Sequence, residues 1–180
     1  VRLDLLADHA APAFDDPLGV LSACHRRIER QLATLARLQR HLPAHGCDHD
    51  ARAAARGILR YFDTAAVNHH ADEEASLFPR LLRHASAAAA PLLADLAADH
   101  QRLAGEWRHL RPLLAAICAG ARANLSPRQV AFLRAAYDRH IAREESELLP
   151  MAHATLDPAE IAAIGREMAQ RRGVGVTIGA

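Results

Sequence analysis

Residues 68–79 read NHHADEEASLFP, and residues 139–150 read RHIAREESELLP. At a constant offset His69 aligns with His140, Glu73 with Glu144, Glu74 with Glu145, Leu77 with Leu148 and Pro79 with Pro150. A residue and the one four places on lie ~40° apart on a helix of ~3.6 residues per turn. His69 therefore stacks over Glu73, and His140 over Glu144. The same two stripes carry Phe62, Ala66 and Leu77 in the first copy, and Leu133, Ala136 and Leu148 in the second. These apolar flanks turn both polar pairs toward a core. The chain must then fold so that two carboxylates share its interior.

Two further helical stripes carry an inward histidine. His25 shares a face with Leu21, Ile28 and Leu32, and His100 shares one with Leu93, Leu96, Leu103 and Trp107. The order along the chain is H, HxxxE, H, HxxxE, as if a helix pair had been used twice.

The helix boundaries are well marked. Asp16-Pro17 is an N-cap followed by proline at the first helical position. Pro43 and Gly46 close that helix, and Asp48 or Asp50 caps the next, which runs through Ile58 and Phe62 to Leu77 or slightly beyond. After an Ala/Ser stretch, Pro91 opens a third helix that Gly120 and Asn124 close. Ser126-Pro127-Arg128-Gln129 and Asp157-Pro158-Ala159-Glu160 have the form of capping boxes opening a fourth helix and a short fifth. The tail after residue 172 reads as frayed. Ala, Leu, Arg and Glu favour helix, and aromatic residues make up only 4%. The expected fold is all-α, an up-down-up-down four-helix bundle with an additional short C-terminal helix. Residues 1–16 form an N-terminal extension, 17–151 the bundle and 152–180 the C-terminal helix and tail.

A formal net charge of +1 gives no electrostatic case for a nucleic-acid partner. No apolar run is long enough for a membrane span, and the N-terminal residues do not read as a signal peptide. Three widely spaced cysteines make no disulfide framework, so a reducing cytoplasm is expected. The reading admits a homodimer.

Buried charges cost several kcal/mol each unless paired or metal-bound. A lone inward histidine is more often a satisfied core residue, and a lone HxxxE pair is often a surface contact. Four inward histidines with two inward glutamates exceed what packing requires. Imidazole and carboxylate together suit iron, manganese or zinc, and two carboxylates between helices are placed to bridge two cations.

With these residues the chain resembles the hemerythrin-like, or HHE cation-binding, family over about residues 17–151. HHADEEASLFP and HIAREESELLP are close to its signatures. The resemblance implies a carboxylate-bridged non-haem di-iron site, two iron ions in a four-helix bundle, with zinc or manganese as other occupants. By position, Glu73 and Glu144 would bridge, His25 and His69 would hold one iron, and His100 and His140 the other. His70 is a candidate fifth imidazole, because some members have a metal-binding residue there, although it lies ~100° around the helix from His69. Oxygen-carrying members have a second histidine where this chain has Ala104, and a final carboxylate where it has Glu145. Glu144 is preferred because it repeats the Glu73 arrangement. Ferritin-like chemistry needs two E-x-x-H pairs, and only Glu106 with His109 is present.

The resemblance implies a protein that binds, senses or handles dioxygen, nitric oxide, peroxide or iron. The alternative is an enzyme or iron donor, consuming peroxide or repairing iron-sulfur clusters. Glu74 and Glu145 are expected to pair with arginines or to accept from ligand histidines. Cys24 reads as a buried thiol. The segment HLPAHGCDHD, with His41, His45, Cys47 and His49, reads as a solvated polar loop.

Overall fold

The computed structural model describes residues 13–84 and 89–174. The expectations for residues 1–12, for the Ala/Ser stretch at 85–88 and for the tail from 175 lie outside these. Every element among the described residues is helical. Helix α1 is Pro17–His45, and α2 is a helical rod over residues 49–84. Helix α3 is Ala89–Cys118, α4 covers residues 127–155, and α5 is Pro158–Arg171. The caps form where the sequence marks them: Asp16, Asp48 and Asp157 each accept a backbone N–H of the first turn. Pro43 does not end α1, which continues to His45 and stops at Gly46 in the left-handed region, φ 64°.

Helix α1 packs on α2 and α4, and α3 packs on the same two. Among the described residues two apolar clusters fill the interior. One holds Ile28, Leu32, Phe62, Leu103, Leu133 and Tyr137, and the other Leu21, Leu77, Leu96, Leu148, Ile164 and Met168. His25, His69, Glu73, His100, His140 and Glu144 are all buried. On each helix they fall between residues of the one cluster and residues of the other, so the core is interrupted by a polar layer.

The helices are not regular throughout. Among the described residues three π-turns occur, at Tyr61–Ala65, Glu73–Leu77 and Glu144–Leu148. The last two begin on the paired glutamates and close identically, the N–H of Phe78 reaching the Glu73 carbonyl and that of Leu149 the Glu144 carbonyl. Proline has no N–H, and its ring crowds the carbonyl four residues back. For Pro79 and Pro150 that residue is Ala75 or Ser146, inside the π-turn, whose wider winding accommodates it. The proline ending each sequence repeat thus has a structural counterpart. The turn at Tyr61 has no proline; there the Thr64 hydroxyl donates to the Arg60 carbonyl at 2.6 Å, drawing that acceptor from the ladder.

Helix α5 is fastened to the outer side of α2. Ile164 and Met168 enter the second cluster. A Cβ on Gly165 would lie 1.8 Å from the Phe14 carbonyl oxygen, so only glycine lets the chain ahead of α1 pass this closely. Arg80 grips Glu167 with two bonds, at 2.6 and 3.0 Å. Asp72, fully buried, accepts from Arg171 and, at 2.6 and 3.1 Å, from Arg172. Removing both guanidiniums leaves a carboxylate without compensation in the interior. Arg171→Ala with Arg172→Ala should therefore cost ~3–5 kcal/mol, read from urea unfolding; a loss below ~1 kcal/mol, the range of an exposed pair, would show that Asp72 does not depend on them.

Candidate metal centre

Each buried polar residue is delivered by the stripe that the sequence places it on. Helix α1 supplies His25 and α3 supplies His100. Helix α2 supplies His69 and Glu73, and α4 supplies His140 and Glu144. Their atoms converge. His25 Nε2 lies 3.1 Å from Glu144 Oε2, and His140 Nε2 lies 2.9 Å from Glu144 Oε1. His100 Nε2 lies 3.3 Å from Glu73 Oε2, and His69 Nε2 lies 3.6 Å from Glu73 Oε1. One group, His25, His69, Glu73 and Glu144, has donor atoms within 4.8 Å of one another. So does a second, Glu73, His100, His140 and Glu144. Both carboxylates belong to both groups.

His70 joins from the side. It groups with His100 and His140 at the same distance limit. Its ring stacks on that of His100, centroids 4.0 Å apart and planes 13° apart. The ~100° offset from His69 does not carry it into water; it turns His70 toward the second group.

The doubled glutamates divide their work. Glu73 and Glu144 point inward, and their neighbours cross to the other helices. Glu145 accepts from His25 Nδ1 at 2.6 Å and from the Ser22 hydroxyl at 2.6 Å. Glu74 accepts from His100 Nδ1 at 2.6 Å. Of the two expectations for these residues, acceptance from the core histidines is the one seen. Each bond puts the ring proton on Nδ1 and leaves Nε2 facing the interior. Asp99 Oδ2 stands 3.8 Å from His140 Nδ1. Sequence reasoning missed Asp99, Ser22 and the Asp72 clamp; for Asp99 and Ser22 the available signal was a polar side chain one residue before, and three residues before, an inward histidine.

The buried groups shift one another's proton affinities. Burial and the Glu144 carboxylate push Glu73 up to about 8. Glu144 is held well below the carboxylate range: burial opposes this, but close approach by His100, His140 and His25 outweighs it. Burial would lower His25 and His100, yet the carboxylates raise them to about 9 and about 10. Burial and neighbouring imidazoles lower His69, and bring His70 to about 3.

Protons alone do not satisfy this layer. His25 Nε2, both ring nitrogens of His69, His70 Nε2, His140 Nδ1 and all four oxygens of Glu73 and Glu144 are buried without a hydrogen bond. The close pairs among them meet at distances that fit hydrogen bonding but at angles that do not. Buried polar atoms are normally satisfied. Lone pairs that converge without bonding one another fit cations between them.

Comparison with known proteins agrees. The model of the Hemerythrin HHE cation binding domain matches residues 16–152. The chain belongs to the hemerythrin HHE family. An "Uncharacterized protein" of Haemophilus influenzae (strain ATCC 51907 / DSM 11121 / KW20 / Rd) is 29% identical, over 96% of this chain and 99% of its own length. Cation binding is thus a property of this hemerythrin-like chain's family, and the buried His/Glu groups are able to hold a metal. Cys24, one residue before His25, stands outside these groups, and His109 is exposed, so the single E-x-x-H pair does not reach the centre. No described helix is long and apolar enough to cross a membrane.

Two outcomes follow. Since Glu73, His25 and His100 carry protons at neutral pH and must lose them to bind a cation, metal loading should release protons. Apparent affinity should accordingly rise as pH is raised from ~6 to ~8, measured by titration in weakly buffered solution; a flat profile would contradict these protonation states. Glu74→Gln and Glu145→Gln should each lower metal affinity ~10–100-fold, read by competition with a chelator, through the imidazoles they orient.

Proposed function

We propose that the chain is a di-iron protein whose centre binds dioxygen, nitric oxide or peroxide. Glu73 and Glu144 would be shared between the two ions, with His25 and His69 holding one and His70, His100 and His140 the other. The observation that carries this reading is the sharing of both carboxylates between two donor groups that each include histidines from two different helices. The donor set is imidazole and carboxylate without thiolate, which suits iron. When bound, the iron pair supplies electrons and an open coordination position for a small ligand.

The residues around the centre define what can reach it. His25 and His69 give fewer donors than the other group, which favours ligand binding on their side. Phe62, Ala66, Leu103, Leu133 and Tyr137 form a buried apolar wall. Burial and the neighbouring Tyr61 raise the Tyr137 hydroxyl, which therefore keeps its proton at neutral pH. Such a wall favours a small neutral ligand over a charged organic substrate.

We further propose that α1 to α4 alternate in direction. In support, α1 and α3 each pass from the Leu21 and Leu96 cluster to the Ile28 and Leu103 cluster, and α2 and α4 pass back. Helix α5 and the bundle are taken as one folding unit, and the free Cys24, Cys47 and Cys118 accord with a cytoplasmic setting.

Anaerobic purification, metal analysis and exposure to oxygen, nitric oxide and peroxide test the assignment. The expected result is two irons per chain and ligand-dependent visible absorption that reverses when the ligand is removed. Sustained peroxide consumption, lost in Glu73→Ala, would move the protein to the enzyme class. A folded protein that takes up no iron would overturn the di-iron reading.

A further inference from the structure

The segment HLPAHGCDHD is solvated as expected, but only residues 46–48 lie outside helices. His41 and His45, one turn apart, both lie in the last turns of α1, before Gly46 reverses the chain. Their rings stack, centroids 4.4 Å apart and planes 23° apart. Asp48, the N-cap of α2, faces them. Its Oδ1 accepts from the Ala51 N–H at 2.8 Å, and its Oδ2 lies 2.9 Å from His41 Nε2. Donor atoms of His41, His45 and Asp48 lie within 4.8 Å of one another.

From this juxtaposition we propose a second, peripheral site for a divalent transition-metal ion, held by His41, His45 and Asp48. Imidazoles four residues apart on a helix converge on one point, as they do wherever a helix presents two histidines to zinc. A carboxylate completes a three-donor face with the remaining positions open to water. Imidazole disfavours magnesium and calcium, so the ions that fit are cobalt, nickel, copper and zinc.

Asp48 does two jobs with separate oxygens. Oδ1 keeps the helix cap while Oδ2 is free to exchange its His41 contact for a metal. Side-chain exposure of 30% for His41 and 38% for Asp48 leaves the ion reachable from solvent. The other two candidates of the segment are engaged elsewhere. Cys47 Sγ donates to the Ala121 carbonyl at 3.0 Å, and His49 is almost fully exposed beside Asp50. This site is not an extension of the buried centre. At ~1.5 Å per residue, His41 lies ~24 Å further along α1 than His25. An ion here would tie the end of α1 to the start of α2.

Cobalt(II) titration of the iron-loaded protein, followed by visible absorption and by imidazole nitrogen resonances, tests the proposal. The wild-type chain should take up one more cobalt ion than His45→Ala. Asp48→Asn keeps a capping side chain but loses the carboxylate. His45→Ala and Asp48→Asn should each weaken cobalt binding at least ~tenfold, since a direct ligand should matter no less than a residue behind one. Iron content should be equal in all three proteins. Identical cobalt stoichiometry and affinity in wild type and His45→Ala would overturn the site. The wild-type and variant difference decides this even if the protein holds no iron, which would be a failure of the buried centre alone.

Discussion

Glu73 and Glu144 face the same few ångströms of interior, and neither is paired in the way an interior carboxylate requires. Two carboxylates this close cannot both ionise easily: one is held protonated and the other ionised, which shows in the opposite displacement of their proton affinities. The surrounding imidazoles favour the ionised form of Glu144, yet several of their ring nitrogens are left without a hydrogen bond. Much of the remaining structure holds this arrangement in place. Carboxylates from α2 and α4 reach across to fix rings on α3 and α1. The helix that carries Glu73 is itself held from outside by the Asp72 clamp.

The helical pattern and most of the layer were legible in the sequence, because both follow from local rules. Asp16-Pro17, Ser126-Pro127 and Asp157-Pro158 mark helix starts by the chemistry of the first turn. Inward histidines declare themselves by sharing a stripe with leucines. His70 was harder. A straight projection places it off the stripe, and only the bundle's third helix, bringing His100 against it, shows which way it faces. Glu74 and Glu145 illustrate the same limit: their neighbours fixed their direction, but their partners lie on other helices.

The π-turns and the Arg171 and Arg172 clamp were not legible. A count of 3.6 residues per turn assumes regular winding, and Pro79 and Pro150 break that assumption just beyond the ligand candidates. Asp72 looks in sequence like one more acidic residue beside two glutamates. Its partners stand about a hundred positions later in the chain, and nothing local joins them. Similarly, the loop between α1 and α2 holds its histidines on a helix end because Pro43 falls within the last turn of α1, too late to stop it.

The polar layer has a consequence for the way the molecule comes apart. It divides the interior into two apolar clusters, and each long helix has one end in each of them. Between these clusters lies a seam of buried polar groups in place of packed hydrocarbon. Cations at that seam would bind all four helices at once and only when both halves are assembled. Loading would then couple the two halves into one cooperative unfolding unit. Hydrogen exchange along a single helix would carry that difference as a step at the layer, so that occupancy of the centre is written into the breathing of the whole fold.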